Sequence, residues 1–123
     1  MNHKSYAQMI LVLKKINLFN ASAPIIVRSM NENDDKSYFE PSHGSAPGLS
    51  GQNVANPYSM IGCVALMLQV SMGRQDLADR VWSALFRVLE KGTVTQDLAL
   101  HNSSLKVVTT SEFGVLVLDE IAK

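Results

Sequence analysis

Apolar positions along this 123-residue chain change their spacing several times, and each change marks an element. Met9, Leu13 and Ile16 share one side of a predicted helix over residues 5–17, with Lys14 and Lys15 outside, until Ala23-Pro24 breaks the pattern. Ile25-Ile26-Val27 is short and β-branched and predicts a strand. Residues 31–36 are polar and acidic without an apolar anchor and read as a loop, and Tyr38-Phe39 predicts a second brief strand. From Pro41 to Pro57 no periodicity survives, while Gly, Pro, Ser and Asn dominate, so this stretch is a loop. About sixteen residues without regular structure are unusual inside a small domain, and loops of that length often carry function.

Helical spacing returns at Asn56-Pro57, where asparagine suits the N-cap and proline the first helical position. The helix over 57–72 is apolar nearly all round, which predicts burial on most sides, and Gly73 stops it. Asp76 is the predicted cap of the next helix, which runs to Lys91 with Leu77, Ala78, Val81, Trp82, Leu85, Val88 and Leu89 on one wide face. Gly92 ends that helix. Residues 93–108 are mixed, with a predicted strand at Lys106-Val107-Val108. Thr109 and Glu112 have capping-box spacing and open a last helix carrying Phe113, Leu116, Val117, Glu120 and Ile121.

Charge and composition narrow the partners. Eleven basic side chains balance eleven acidic ones, which argues against nucleic acid or an anionic membrane as a partner. The apolar run Met9–Leu13 is cut by Lys14 and Lys15 before it reaches signal-core length, and residues 60–72 fall short of a bilayer span. A single cysteine forms no internal disulfide, so a reducing, cytoplasmic setting is expected. Cys63 reads as a small core residue, Trp82 and Phe86 as core or interface, and His3 and His101 as solvent-exposed, without partners at metal-ligand spacing.

The loop Glu40-Pro-Ser-His-Gly-Ser-Ala-Pro47, followed by Gly51 and Ala55-Asn56-Pro57, offers an imidazole, small residues and free amides beside a helix N-terminus. That chemistry suits a nucleotide; the alternative is an irregular connection whose glycines serve only turn geometry. The ordered run of residues resembles the cofactor-binding loop of the β-decarboxylating dehydrogenases, the family of 3-isopropylmalate, isocitrate and tartrate dehydrogenases. Likeness continues through Gly92-Thr-Val-Thr-Gln-Asp-Leu98 to Thr109-Thr-Ser-Glu-Phe-Gly114, covering residues 38–123 and leaving 1–37 as a divergent N-terminal segment of helix plus loop. The spacing from Asp97 to Thr109 is most similar to that of 3-isopropylmalate dehydrogenases.

The resemblance implies an α/β fold, present here as a partial isocitrate/isopropylmalate dehydrogenase-like domain of mostly helices with a few short strands. It implies NAD as cofactor, with His43 packing on the adenosine, the backbone of Gly44, Ser45 and Ala46 following it, Asn56 hydrogen-bonding the adenine, and Glu40 as the loop's leading acid. Gly48 stands where NAD-using relatives carry an aspartate for the ribose, and Gly48-Leu49 where NADP-using relatives often carry Lys-Tyr. The missing charge-assisted contact is worth about 1.5–3 kcal/mol, so binding is expected to be weakened.

The family's Mg²⁺ or Mn²⁺ requires carboxylates, and the nearest match to its metal-binding helix, Tyr6 to Val12, puts Gln8 and Val12 at those positions. No residue here matches the family's catalytic tyrosine and lysine or its substrate arginines. The expectation is therefore a C-terminal, cofactor-adenosine-binding portion of a 3-isopropylmalate dehydrogenase-like oxidoreductase, inactive alone. A non-catalytic nucleotide-binding or regulatory subunit, a decayed paralogue, or a portion of an isocitrate or tartrate dehydrogenase are the alternatives. Expected partners are a dinucleotide and either a second copy or a full-length relative. Shorn of the family's sheet, the helices at 57–72 and 76–91 are expected to expose apolar faces.

Overall fold

In the computed structural model, which describes residues 24–28, 37–100 and 102–123, the two predicted early strands pair with each other. β1 (Pro24–Arg28) and β2 (Ser37–Pro41) run antiparallel, with Ile25 opposite Glu40 and Ile26 opposite Phe39. The helix predicted over 5–17 and the loop at 31–36 lie outside the described residues, as do His3, Gln8, Val12 and His101.

The long loop is less irregular than its composition predicts. Pro47–Leu49 forms one 3-10 turn, closed by the Leu49 N–H donating to the Ala46 carbonyl at 2.9 Å. The turn needs Ala46 in the left-handed region (φ 41°), and Pro47 holds its own φ in the helical range, so the turn starts without a side-chain cap.

α1 spans Tyr58–Val70, shorter than its predicted 57–72. Its predicted start is corrected by one residue: Pro57 occupies the N-cap position, its carbonyl taking the Ile61 N–H at 3.0 Å, while the Tyr58 N–H donates to Oδ1 of the preceding Asn56 at 3.0 Å. α2 spans Gln75–Glu90. Its predicted cap is corrected here. Arg74 occupies the N-cap position and Asp76 lies inside the first turn, where its carboxylate takes the Arg74 guanidinium at 2.7 and 2.9 Å. That pairing holds the Asp76 carboxyl down at about 2. Gly92, at φ 74°, then reverses the chain just beyond α2, a conformation that favours glycine.

β3 (Thr93–Val94) and β4 (Lys106–Val107) form a short parallel pair joined through α3 (Gln96–Ala99). α4 (Thr110–Ile121) opens on the predicted capping box: the Glu112 N–H reaches Thr109 Oγ1 at 3.3 Å, and Glu112 Oε2 accepts from the Thr109 N–H at 2.8 Å.

The core is helical. α2 packs against α1 on one side and α4 on the other, with Leu85, Leu89, Phe113 and Val117 buried and Val94 closing the cluster from β3. Each such side chain contributes about 1.5–3 kcal/mol by leaving water. Burial of α1 on most sides does not hold: Met60 and Val64 are exposed. The apolar face of α2 is covered, against expectation, because α1 and α4 occupy it; Val115 and Leu118 of α4 are exposed as well. No helix among the described residues is long and apolar enough to cross a membrane.

Candidate functional site

The junction between loop and α1 encloses a cleft of about 660 Å³. Residues 42–46 form one wall, Leu49 and Ser50 the turn above it, and Val54 to Asn56 the side nearest α1, with Ser59 and Asp97 completing the lining. His43, Gly44, Ser45, Ala46 and Asn56 are thus brought together. Glu40 is not among the lining residues; it sits in β2, in register with Ile25.

Local geometry follows from the chain. The His43 backbone N–H donates to the Pro41 carbonyl at 2.9 Å, turning the chain out of β2. Its Nδ1 lies 2.7 Å from the Gly44 carbonyl, an acceptor only, so Nδ1 carries the proton there and Nε2 is the acceptor nitrogen of the neutral ring. Gln52 Nε2 donates to the Gly48 carbonyl at 2.6 Å and stiffens the 3-10 turn. Asn56 uses both ends of its amide: Oδ1 accepts from the Tyr58 N–H, and Nδ2 donates to Asp97 Oδ2 at 3.0 Å. The Thr95 hydroxyl donates to Asp97 Oδ1 at 2.5 Å, so the carboxylate is held from two sides.

Behind the cleft, the Tyr58 ring meets Trp82 at 6.4 Å and 54°, and Trp82 stacks near Phe86 at 6.2 Å and 20°. Trp82 thus packs against the core, with Phe86 half-buried beside it, and burial pushes the Tyr58 hydroxyl up to about 12. Cys63 is buried in α1.

Chemically, the lining combines apolar surface from Ala46, Leu49, Val54 and Ala55 with four serines, one imidazole, one amide and one carboxylate. Among the described residues no lysine or arginine lines it. A flat, partly polar group fits this better than a cluster of phosphates, although the first turn of α1 leaves amides whose dipole favours negative charge. Among the described residues no three His, Cys, Asp or Glu side chains converge as a metal site.

Sequence reasoning did not assign Asp97 a role. It lies 41 residues from Asn56, and only its place in the Gly92–Leu98 run gave it any signal. Asn53, Thr110 and Ser111, which tie the loop to α4, were equally unmarked.

Among the described residues, four α-helices beside two short strand pairs, with a cleft where a loop enters a helix, make this a partial α/β domain. The sequence profile described as isocitrate/isopropylmalate dehydrogenase matches residues 21–117. The chain belongs to the isocitrate/isopropylmalate dehydrogenase family. It is 46% identical over 84 residues to 3-isopropylmalate dehydrogenase 2 of Dechloromonas aromatica, a span covering 68% of this chain and 23% of that protein. It is 38% identical over 101 residues to 3-isopropylmalate dehydrogenase of Hydrogenovibrio crunogenus, covering 82% and 28%. The corresponding enzyme of Prochlorococcus marinus is 38% identical over 89 residues, covering 72% and 24%. The chain therefore spans about a quarter of the length of the curated relatives it matches.

Proposed function

We propose that this stretch of chain holds the adenosine end of NAD within a 3-isopropylmalate dehydrogenase-like oxidoreductase of the cytoplasm, and performs no oxidative decarboxylation by itself. The observation that carries the reading is the convergence of residues 42–46, residues 54–56 and Asp97 on one cleft at the start of α1. The apolar surface of Leu49, Val54 and Ala55 supports it as a seat for a base, with His43 packing on the adenosine and the Asn56 amide hydrogen-bonding the adenine. The backbone of Gly44 to Ala46, with little side chain in the way, lies beside the ribose and phosphates.

NAD, when bound, supplies a hydride acceptor at its nicotinamide; the residues named here bind and orient its other end. Inactivity of this stretch alone is supported by the lack of any counterpart to the family's catalytic tyrosine and lysine, substrate arginines and metal-binding aspartates. The names of the relatives favour isopropylmalate over isocitrate as the whole protein's substrate.

Calorimetric titration tests the reading. ADP and NAD are expected to bind at millimolar concentration or tighter, and His43→Ala to weaken ADP by about tenfold, the equivalent of one aromatic contact. A folded chain that takes up no ADP at that concentration overturns the assignment. Ordinary turnover with NAD, Mn²⁺ and isopropylmalate overturns the claim of inactivity.

A further inference from the structure

Segment 53–56, whose last three residues line the cleft, is fastened to the start of α4 by bonds that span 55 and 58 residues of sequence. Asn53 Nδ2 donates to Ser111 Oγ at 2.7 Å, and the Ser111 N–H donates to Asn53 Oδ1 at 3.1 Å. The Thr110 N–H donates to the Asn53 carbonyl at 2.9 Å, and the Thr110 hydroxyl to the Ala55 carbonyl at 2.5 Å. Asn53 itself is left-handed, at φ 57°, a conformation asparagine tolerates when its amide is bonded nearby.

Asn53, Thr110 and Ser111 do not line the cleft, whereas Val54, Ala55 and Asn56 do. These bonds therefore act on the lining without touching what it encloses. α4 is a firm mount for them. Phe113 and Val117 are buried in the core, the Arg80 guanidinium donates to the Ile121 carbonyl at 2.7 Å, and Lys91 meets Glu120 at 2.5 Å.

Resting on the nucleotide reading above, we infer that Thr110 and Ser111 are positioning residues for the nucleotide cleft. Their hydroxyls fix the path of residues 53–56 and so set Asn56 before a base arrives. Preordering of that kind raises affinity by removing the cost of immobilising the loop on binding.

Thr110→Val combined with Ser111→Ala removes both hydroxyls and keeps the two backbone N–H bonds. At a temperature where the variant is fully folded, ADP affinity is expected to fall about tenfold, as the hydrogen bonds of the two hydroxyls are lost, and Thr110→Ser with Ser111→Thr to restore it to within about twofold. Glu112→Ala breaks the cap of the same helix without touching the loop; it is expected to lower the unfolding temperature and leave ADP affinity within about twofold. Native-like ADP binding by the folded double variant overturns the inference, as does an equal loss in Glu112→Ala. If the native chain binds no ADP, the nucleotide reading fails first, and amide exchange of residues 53–56 then judges the clamp. Exchange about tenfold faster in the double variant supports it; unchanged exchange overturns it.

Discussion

Phe113, at the centre of the helical body, is wholly buried, whereas every residue from Ser42 to Asn53 is exposed. The body draws its stability from apolar side chains that α1, α2 and α4 hide from one another. The loop has no such reserve. Its shape comes from backbone turns, from Gln52 on the Gly48 carbonyl, and from Asn53 and Asn56 reaching to Ser111 and Asp97. Two parts of one small molecule are thus held by different forces, and substitutions in each should read out differently: stability for the body, ligand affinity for the loop.

Phe113→Ala gives the largest effect on that contrast. Removing a fully buried ring should cost about 3–5 kcal/mol in chemical denaturation while leaving the ADP affinity of the folded fraction unchanged. His43→Ala is its counterpart, with a stability change of less than about 0.5 kcal/mol, as for an exposed side chain away from any cap. Thr109→Ala comes next. Losing the side-chain half of the capping box should cost about 1 kcal/mol, again by denaturation.

The smallest effect concerns acid. Lys123 and Lys91 hold the Glu120 carboxyl at about 2, below its ordinary 4.5. The native state therefore sheds this proton more readily than the unfolded chain, and the stabilisation is complete above pH 4.5 and lost as pH falls through about 2. Both lysines are exposed, so the slope is shallow. Glu120→Gln should flatten stability against pH in that window, and an unchanged slope would remove the ion cluster from the account of the body.

Legibility in the sequence divides along a related line. Elements whose cause lies within a few residues were readable: Thr109 and Glu112 are three apart, Asn56 sits two before Tyr58, and the seven apolar positions of α2 repeat at helical spacing. Asp76 shows the limit of such rules, because an acid at a helix start suits either the cap or the first turn, and Arg74 beside it decided the matter. Which apolar faces stay exposed depended on packing between helices, so Val115 and Leu118 could not be told from Phe113 and Val117 by type alone. Loop residues adjacent in the chain were marked together, while Asp97 and Ser111 meet the loop from 41 and 58 residues away, and the runs that contain them carry no sign of that contact.

The most direct test of the cleft assignment is a backbone-amide NMR titration of the native chain with ADP. The account predicts shift changes centred on residues 42–46, 54–56, Ser59 and Asp97, with the amides of Leu85, Leu89 and Val117 unmoved. Saturating ADP that perturbs none of the cleft amides, or perturbs the α2–α4 face instead, would contradict it.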